Sequence, residues 1–238
     1  MFRVNKFEHS SHYDTAWHEH DSGQLYLITQ GIIMVDTENA QWSVTAGTLG
    51  WFPPGLKHKA SVRNSVEGVS YYFSATVSRL FPLNEGIYSA DPFVLNLLER
   101  ISRLSMPDYS EEYKSSLLTL LSTEINHAPR LALNLPLPHD KRARAVADVL
   151  LNKPDCSLTQ RELALNYGLS TRHLSRLYLQ QTGLSFSQWR QQSKVITSLQ
   201  WLIASMPISE VADRSGYSNV SAYIEAFKKR FGKTPGQF

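Results

Sequence analysis

Imidazole side chains can ligate a divalent metal or serve only as hydrogen-bonding groups. Among the eight histidines, His18 and His20 lie in Trp17-His18-Glu19-His20, and His58 closes Gly47-x5-Pro53-Pro54-Gly55-x2-His58. Near the C-terminus, Arg172 and Arg176 stand four residues apart, which places them on one face of a helix. Arginine can make a bidentate contact to guanine O6 and N7. Lys228, Lys229, Arg230 and Lys233 suit phosphates, which position a protein on a duplex without reading its sequence. No nucleophile motif, phosphate-cradling loop or hydride-cofactor fingerprint occurs. The single cysteine, Cys156, excludes an intramolecular disulfide and a zinc site built from cysteines.

The elements that must position these groups fall into two kinds. From Trp17 to about Ala75, short runs such as QLYLITQG, IIMVDT, WSVTAG and SYYFSA alternate with Gly, Pro and Asn-containing stretches. That pattern predicts a sandwich or barrel of short strands. Trp17, Tyr26, Trp42, Trp51 and Phe52 either line an apolar pocket for a small effector or fill its core. From Asp91 the period becomes helical. Val94, Leu97, Leu98, Ile101 and Leu104 share a face, with Asp91 as N-cap and Pro92 at the first helical position. A second helix is expected from about Ser110 to His127, striped by Leu117, Leu118, Leu121 and Ile125. These stripes exceed the need of one barrel face, so the pair is expected to join two subunits, with Leu118 and Leu121 exposed. APRLALNLPLPHD, with three prolines, reads as a semi-rigid linker over 129–140. The rest reads as helix.

Charge follows the same division. Residues 1–135 hold 10 Lys and Arg against 14 Asp and Glu, and residues 136–238 hold 14 against 7. A basic C-terminal part points to a polyanionic partner at that end, although a solvated surface would look the same. No apolar run is long enough to cross a bilayer, and MFRVNKFEHS has no signal core behind it, so a cytoplasmic protein is expected.

The C-terminal part contains a repeat. Leu163-Ala164-x3-Gly168-Leu169-Ser170 recurs 48 residues later as Val211-Ala212-x3-Gly216-Tyr217-Ser218. Beyond the turn the offset is 49, pairing Leu174 with Tyr223, Tyr178 with Phe227 and Gly183 with Gly232. Each copy spells helix, tight turn, helix. Thr159 to Glu162 has the capping-box form, the glycine supplies a positive φ, and Ser170 caps the second helix. Two such units in a basic segment follow the logic of a DNA-reading helix-turn-helix. Between them lies a helix of roughly 20 residues, a rod of about 30 Å. That is close to the spacing of about 34 Å between major-groove faces on one side of B-DNA. Tyr178, Tyr223, Phe227 and Phe231 are read as core.

GLSTRHLSRLYLQQTGLSFSQWRQQSKV and the following PISEVADRSGYSNVSAYIEAFKKRFGKTPGQF closely resemble the DNA-binding domain of AraC/XylS-type regulators, over about residues 141–238. The resemblance implies seven helices, with the second helix of each unit in adjacent major grooves of double-stranded DNA. It places Arg172, Ser175 and Arg176 on bases from the first unit, and Ser221, Ala222 and Glu225 from the second. Family members often carry a basic or amide residue where Glu225 stands, which implies weaker base readout there. It also favours a homodimer paired through 91–128.

The histidine stretches, with Gln24 and Gly31, resemble the paired motifs of the cupin barrel. Metal-binding cupins hold a divalent ion on His, His and Glu of the first motif and His of the second. The matching positions here are His18, His20, Gln24 and His58, with neutral Gln24 for the Glu and Val62 for the usual Asn. The fold expected is α+β in two domains. A cupin-like sensor barrel spans 1–90, helices 91–128, a linker 129–140 and a tandem helix-turn-helix domain 141–238. The leading function is a transcription regulator, not an enzyme, with no cofactor and a small effector held by His18, His20, Gln24, Tyr26, Trp51 and His58. The alternative is a metal-dependent cupin enzyme fused to a DNA-binding tail, its metal on His18, His20 and His58.

Overall fold

The computed structural model describes residues 1–10, 12–103 and 109–238. Leu104, the last residue of the first expected stripe, lies outside them. The chain divides into two compact units: Met1–Val35 with Trp42–Leu131, and Asp36–Gln41 with Ala132–Phe238.

The first unit is built on antiparallel strands. One sheet has the order β1 (Phe2–His9), β8 (Val66–Phe73), β3 (Gly23–Gln30), β6 (Thr48–Phe52), β9 (Gly86–Ser89). The other runs β5 (Ala40–Thr45), β4 (Ile32–Thr37), β7 (His58–Val62), β2 (Tyr13–Asp14). Residues directly opposite in an antiparallel pair share a face, and the face alternates along each strand. Leu25 pairs with Trp51 and Tyr71, while Gln24 pairs with Phe52 and Tyr72. The first set therefore faces away from the second.

Leu25, Leu49, Trp51, Tyr71 and Phe73 form the outer face and join one apolar cluster with two helices. These are α2 (Pro92–Ser102) and α3 (Glu111–His127), which follow the short α1 (Ala75–Ser78). The caps are as the sequence reads. Asp91 accepts from the Val94 N–H, Pro92 opens α2, and Ser110 accepts from the Tyr113 N–H. Two expectations are corrected here. Leu118 and Leu121 are not exposed: at 1% and 0% they pack with Leu97, Leu98 and Ile101 in that cluster. The sheet carries enough aromatic area on its outer face to consume both stripes. Trp51 is likewise not a pocket residue. Its ring stacks on Phe81 and its Nε1–H donates to Pro82 O at 2.7 Å, both on the helix-covered face.

Among its described residues the second unit has six α-helices and a terminal 3-10 turn, where the resemblance implies seven helices. They are α4 (Lys141–Asn152), α5 (Gln160–Asn166), α6 (Thr171–Thr182), α7 (Phe186–Ile203), α8 (Ile208–Arg214) and α9 (Val220–Phe231), followed by Pro235–Gln237. The repeat is visible as matched geometry. Leu169 N–H donates to Ala164 O, and Tyr217 N–H donates to Ala212 O. Gly168 and Gly216 turn at φ +66° and +70°, a conformation open to glycine at little cost. Gly183 and Gly232 end α6 and α9 in the same left-handed form. Ala164 and Ala212 are buried at the two crossings, and Leu174, Tyr178, Tyr223 and Phe227 fill the cores. Phe231 is half-buried.

The stretch expected as a linker is partly core. Leu133, Leu135 and Leu137 are buried, and the Trp189 Nε1–H donates to Pro136 O. His139 and Asp140 N–H both donate to the Gln181 side chain. Leucines at every second position make LALNLPL an extended segment with one apolar edge. The prolines stiffen it without keeping it in solvent.

Candidate nucleic-acid interface and barrel chamber

Both second helices are cut to present a polar face. In α6, Leu174, Leu177 and Tyr178 point inward, which leaves Arg172 and Arg176 exposed one turn apart. Ser170 accepts from the His173 N–H and so fixes where the helix starts. Ser175 is half-buried and accepts from Gln160 Nε2 at 2.7 Å. Its hydroxyl ties α6 to the first residue of α5, a positioning link that sequence types alone did not reveal.

In α9, Asn219 accepts from the Ala222 N–H. Ser221 and Glu225 are exposed, and Ala222 is half-buried. Ala222, Glu225 and Lys229 share a groove of about 470 Å³ with Gln191, Lys194 and Tyr217. Lys194, missed in the sequence, donates to Gly216 O at 2.7 Å and lies 5.3 Å from the Tyr217 ring centre. Burial lowers its pKa, and nearby Arg190 adds to the effect. Glu225 thus shares its groove with two lysines, one tied to Gly216 and one exposed. Lys228, Lys229 and Lys233 are exposed as phosphate-binding groups must be. Arg230 is not. It is half-buried, donates to Asn134 O, and its Nε is enclosed without a partner. Burial holds its pKa below the usual value. It therefore fastens the 132–137 segment and does not offer its fork to DNA.

The inner sheet face borders a second site. Between the two sheets lies a chamber of about 640 Å³, lined by His18, Gln24 and Tyr26 together with residues the sequence reading missed, among them Lys6, Tyr13 and Tyr72. Lys6 comes from β1, a strand upstream of the expected barrel whose half-buried residues, Phe2 and Val4 then Phe7 and His9, change phase at Asn5 and Lys6. Of the other aromatics considered, Trp17 is 40% exposed, Trp42 is buried under Arg130, and Phe52 stacks on His58. Burial pushes the Tyr26 hydroxyl far up, with Tyr72 adding to it. Burial also raises Tyr72, opposed by the Arg3 guanidinium over its ring.

His18, His20 and His58 come together, each able to place a ring nitrogen within 4.8 Å of the others. The backbone enforces this. His18 and His58 exchange two N–H···O bonds of 2.9 Å, and Gly55 N–H donates to His20 O. His58 is 1% exposed. Burial lowers its pKa, the Leu56 carbonyl partly offsets this, and His18 and His20 push it lower still. Gln24 reaches His20 through its oxygen and Tyr72 through its nitrogen. His20 and His58 therefore adjoin the chamber through His18 and Gln24.

Two helix-turn-helix units spaced by one long helix, joined in one chain to a β-domain with a chamber between its sheets, define a DNA-binding regulator of two-domain type. Residues 163–238 match the family description "Helix-turn-helix domain", and residues 6–115 match "AraC-like ligand binding domain". The HTH-type transcriptional regulator NimR of Escherichia coli (strain K12) is 30% identical over 221 residues, 93% of this chain and 81% of that protein. The HTH-type transcriptional regulator RipA of Corynebacterium glutamicum is 39% identical over 103 residues, 43% of this chain and 31% of that one. The crystal structure of ToxT from Vibrio cholerae aligns over 99% of this chain and 97% of its own, with 11% identity and a TM-score of 0.42. The chain belongs to the AraC family of helix-turn-helix transcriptional regulators, and it is a DNA-binding transcription regulator. No helix among the described residues is long and apolar enough to cross a membrane.

Proposed function

We propose that the chain is a cytoplasmic, sequence-specific regulator that lays α6 and α9 in adjacent major grooves and answers to a small effector in the barrel chamber. Reading is unequal in this account. The observation that carries it is the contrast between the two outward faces. Arg172 and Arg176 are exposed on α6, whereas Glu225 on α9 lines one groove with Lys194 and Lys229. A carboxylate can accept from cytosine N4 but repels nearby phosphates. Lys229 offsets that repulsion and adds no sequence information.

The chamber supports effector control because it carries aromatic side chains in its wall and is large enough for a small molecule. An effector bound there shifts DNA affinity only as far as it binds two conformations differently. Pairing of two copies is the expected assembly. Phe93, Leu95 and Leu120 are exposed on α2 and α3, outside the buried stripe, and supply apolar surface for it.

Titrations against selected and scrambled DNA at several salt concentrations test the reading. Arg176→Ala is expected to cost about 1–3 kcal/mol on the selected site and to relax preference in one half of it. Lys229→Ala is expected to weaken both DNAs alike and flatten the salt dependence. Equal losses on both DNAs for Arg176→Ala would make it a phosphate contact. A large, selective loss for Glu225→Ala would show that α9 reads bases as strongly as α6.

A further inference from the structure

The outward face of α6 carries a leucine that core packing does not account for. Leu179 is 58% exposed and stands three residues beyond Arg176. At about 100° per residue, Arg176 and Leu179 both fall within about 40° of Arg172 around the helix. Leu174, Leu177 and Tyr178 lie on the opposite side and are buried. Leu179 therefore points the same way as the two arginines, directly away from the core. Helical side chains lean toward the N-terminus, which brings its methyl groups toward Arg176.

The tandem repeat supplies an independent sign. Its offset of 49 residues places Lys228 of α9 where Leu179 stands in α6. The last turn of α9 holds Lys228, Lys229 and Arg230, whereas the last turn of α6 holds no basic residue. Lys228 is exposed and can take a phosphate. A leucine offers a phosphate neither donor nor charge. The apolar group that a base edge presents in the major groove is the 5-methyl of thymine. From Arg172 to Leu179 the helix advances about 10 Å, or about three base-pair steps of about 3.4 Å. A groove about 12 Å wide admits a helix whose diameter with side chains is about 10–12 Å, so this face meets base edges.

We propose that Leu179 determines specificity by packing on the 5-methyl group of a thymine, about one to two base pairs beyond the base that Arg176 reads. The inference rests on α6 lying in a major groove, and it deepens the unequal reading of the two units. At one and the same place in the repeat, α9 holds the DNA backbone through Lys228 and α6 sorts bases through Leu179. The first unit thus combines hydrogen bonding by two arginines with an apolar contact, and neither depends on the salt-sensitive phosphate contacts of the second.

The experiment uses the full-length chain and a duplex that it selects from random sequence. Each thymine is replaced in turn by deoxyuridine, which lacks only the 5-methyl group. One replacement, beside the guanine located with Arg176→Ala, is expected to weaken binding about fourfold, as loss of one buried methyl does. Leu179→Ala binds the thymine and uracil duplexes alike. Leu179→Met, of similar volume, keeps the difference. Leu165→Ala, at an exposed leucine on α5, also keeps it. If no thymine near that guanine shows a methyl penalty, or the penalty is unchanged in Leu179→Ala, the inference is overturned. A penalty lost equally in Leu165→Ala overturns the assignment to Leu179. Each preparation is also titrated with scrambled DNA. Selective binding without a methyl penalty rejects this inference alone, whereas no preference for the selected duplex in the unmodified chain rejects the sequence-specific reading beneath it.

Discussion

Lys228, Lys229 and Arg230 are adjacent basic residues with different jobs, and helical geometry separates them. Phe227 is buried, and Arg230 follows it by three positions, on the same side of α9. The side chain is drawn inward to Asn134 O, while its two neighbours face solvent. Arg230→Ala is therefore expected to lower the melting temperature of the second unit and leave the salt slope of DNA binding unchanged. A flattened slope with unchanged stability would return it to the phosphate-binding set. The sequence reading placed Arg230 with the phosphate-binding lysines because it weighed the basic run and not the phase relative to Phe227. Trp51 has the same lesson in a strand. Parity places it with Leu49 and opposite Phe52, but parity does not say which face meets the helices. The histidine cluster was legible through the resemblance of its two stretches to the cupin motifs. Its support was not, because the Nδ1 acceptors are backbone carbonyls that carry no sequence signature.

At the scale of elements, the strongly periodic segments were readable and their partners were not. The limits of α2 and α3 follow from Asp91, Pro92 and Ser110, whose chemistry is local. What their stripes bury depends on the sheet's outer face, a long-range fact. Leu121→Ala is expected to destabilise the first unit by about 2–5 kcal/mol, as deletion of a fully packed leucine does. Leu120→Asp, on the exposed side, is expected to leave the fold intact and to shift sedimentation toward monomer. Dimers that persist unchanged in Leu120→Asp would remove that face from the assembly. The repeated turns give a paired comparison. Alanine at Gly168 meets nothing within 4 Å and incurs only the left-handed strain, about 1–2 kcal/mol. Alanine at Gly216 adds a 2.8 Å approach to the Asp155 backbone and 3.0 Å to Lys194 Nζ, so Gly216→Ala should lower the melting temperature more. Equal losses would show that the second turn yields without cost. The 129–140 segment shows where punctuation misleads. Prolines mark it as loop, yet alternate leucines seat it in the second unit's core.

At the scale of the whole molecule, the two-domain α+β plan was legible because each half keeps one hydrophobic period throughout. The tandem repeat announced itself through glycines, small crossing residues and caps that recur at nearly constant offset. The chamber was less legible, since its wall draws on β1, which precedes the expected strands. In the proposed function α7 spaces two reading helices. Its 18 residues span about 27 Å, near the separation of successive major-groove faces. The measurement that bears most directly on this account is guanine methylation interference on DNA selected by the full-length protein. The account predicts two interfering patches on one face of the duplex, about 10 base pairs apart. The patch under α6 is the stronger and is lost in Arg176→Ala. A single patch, or two patches that Arg176→Ala leaves unchanged, would contradict it.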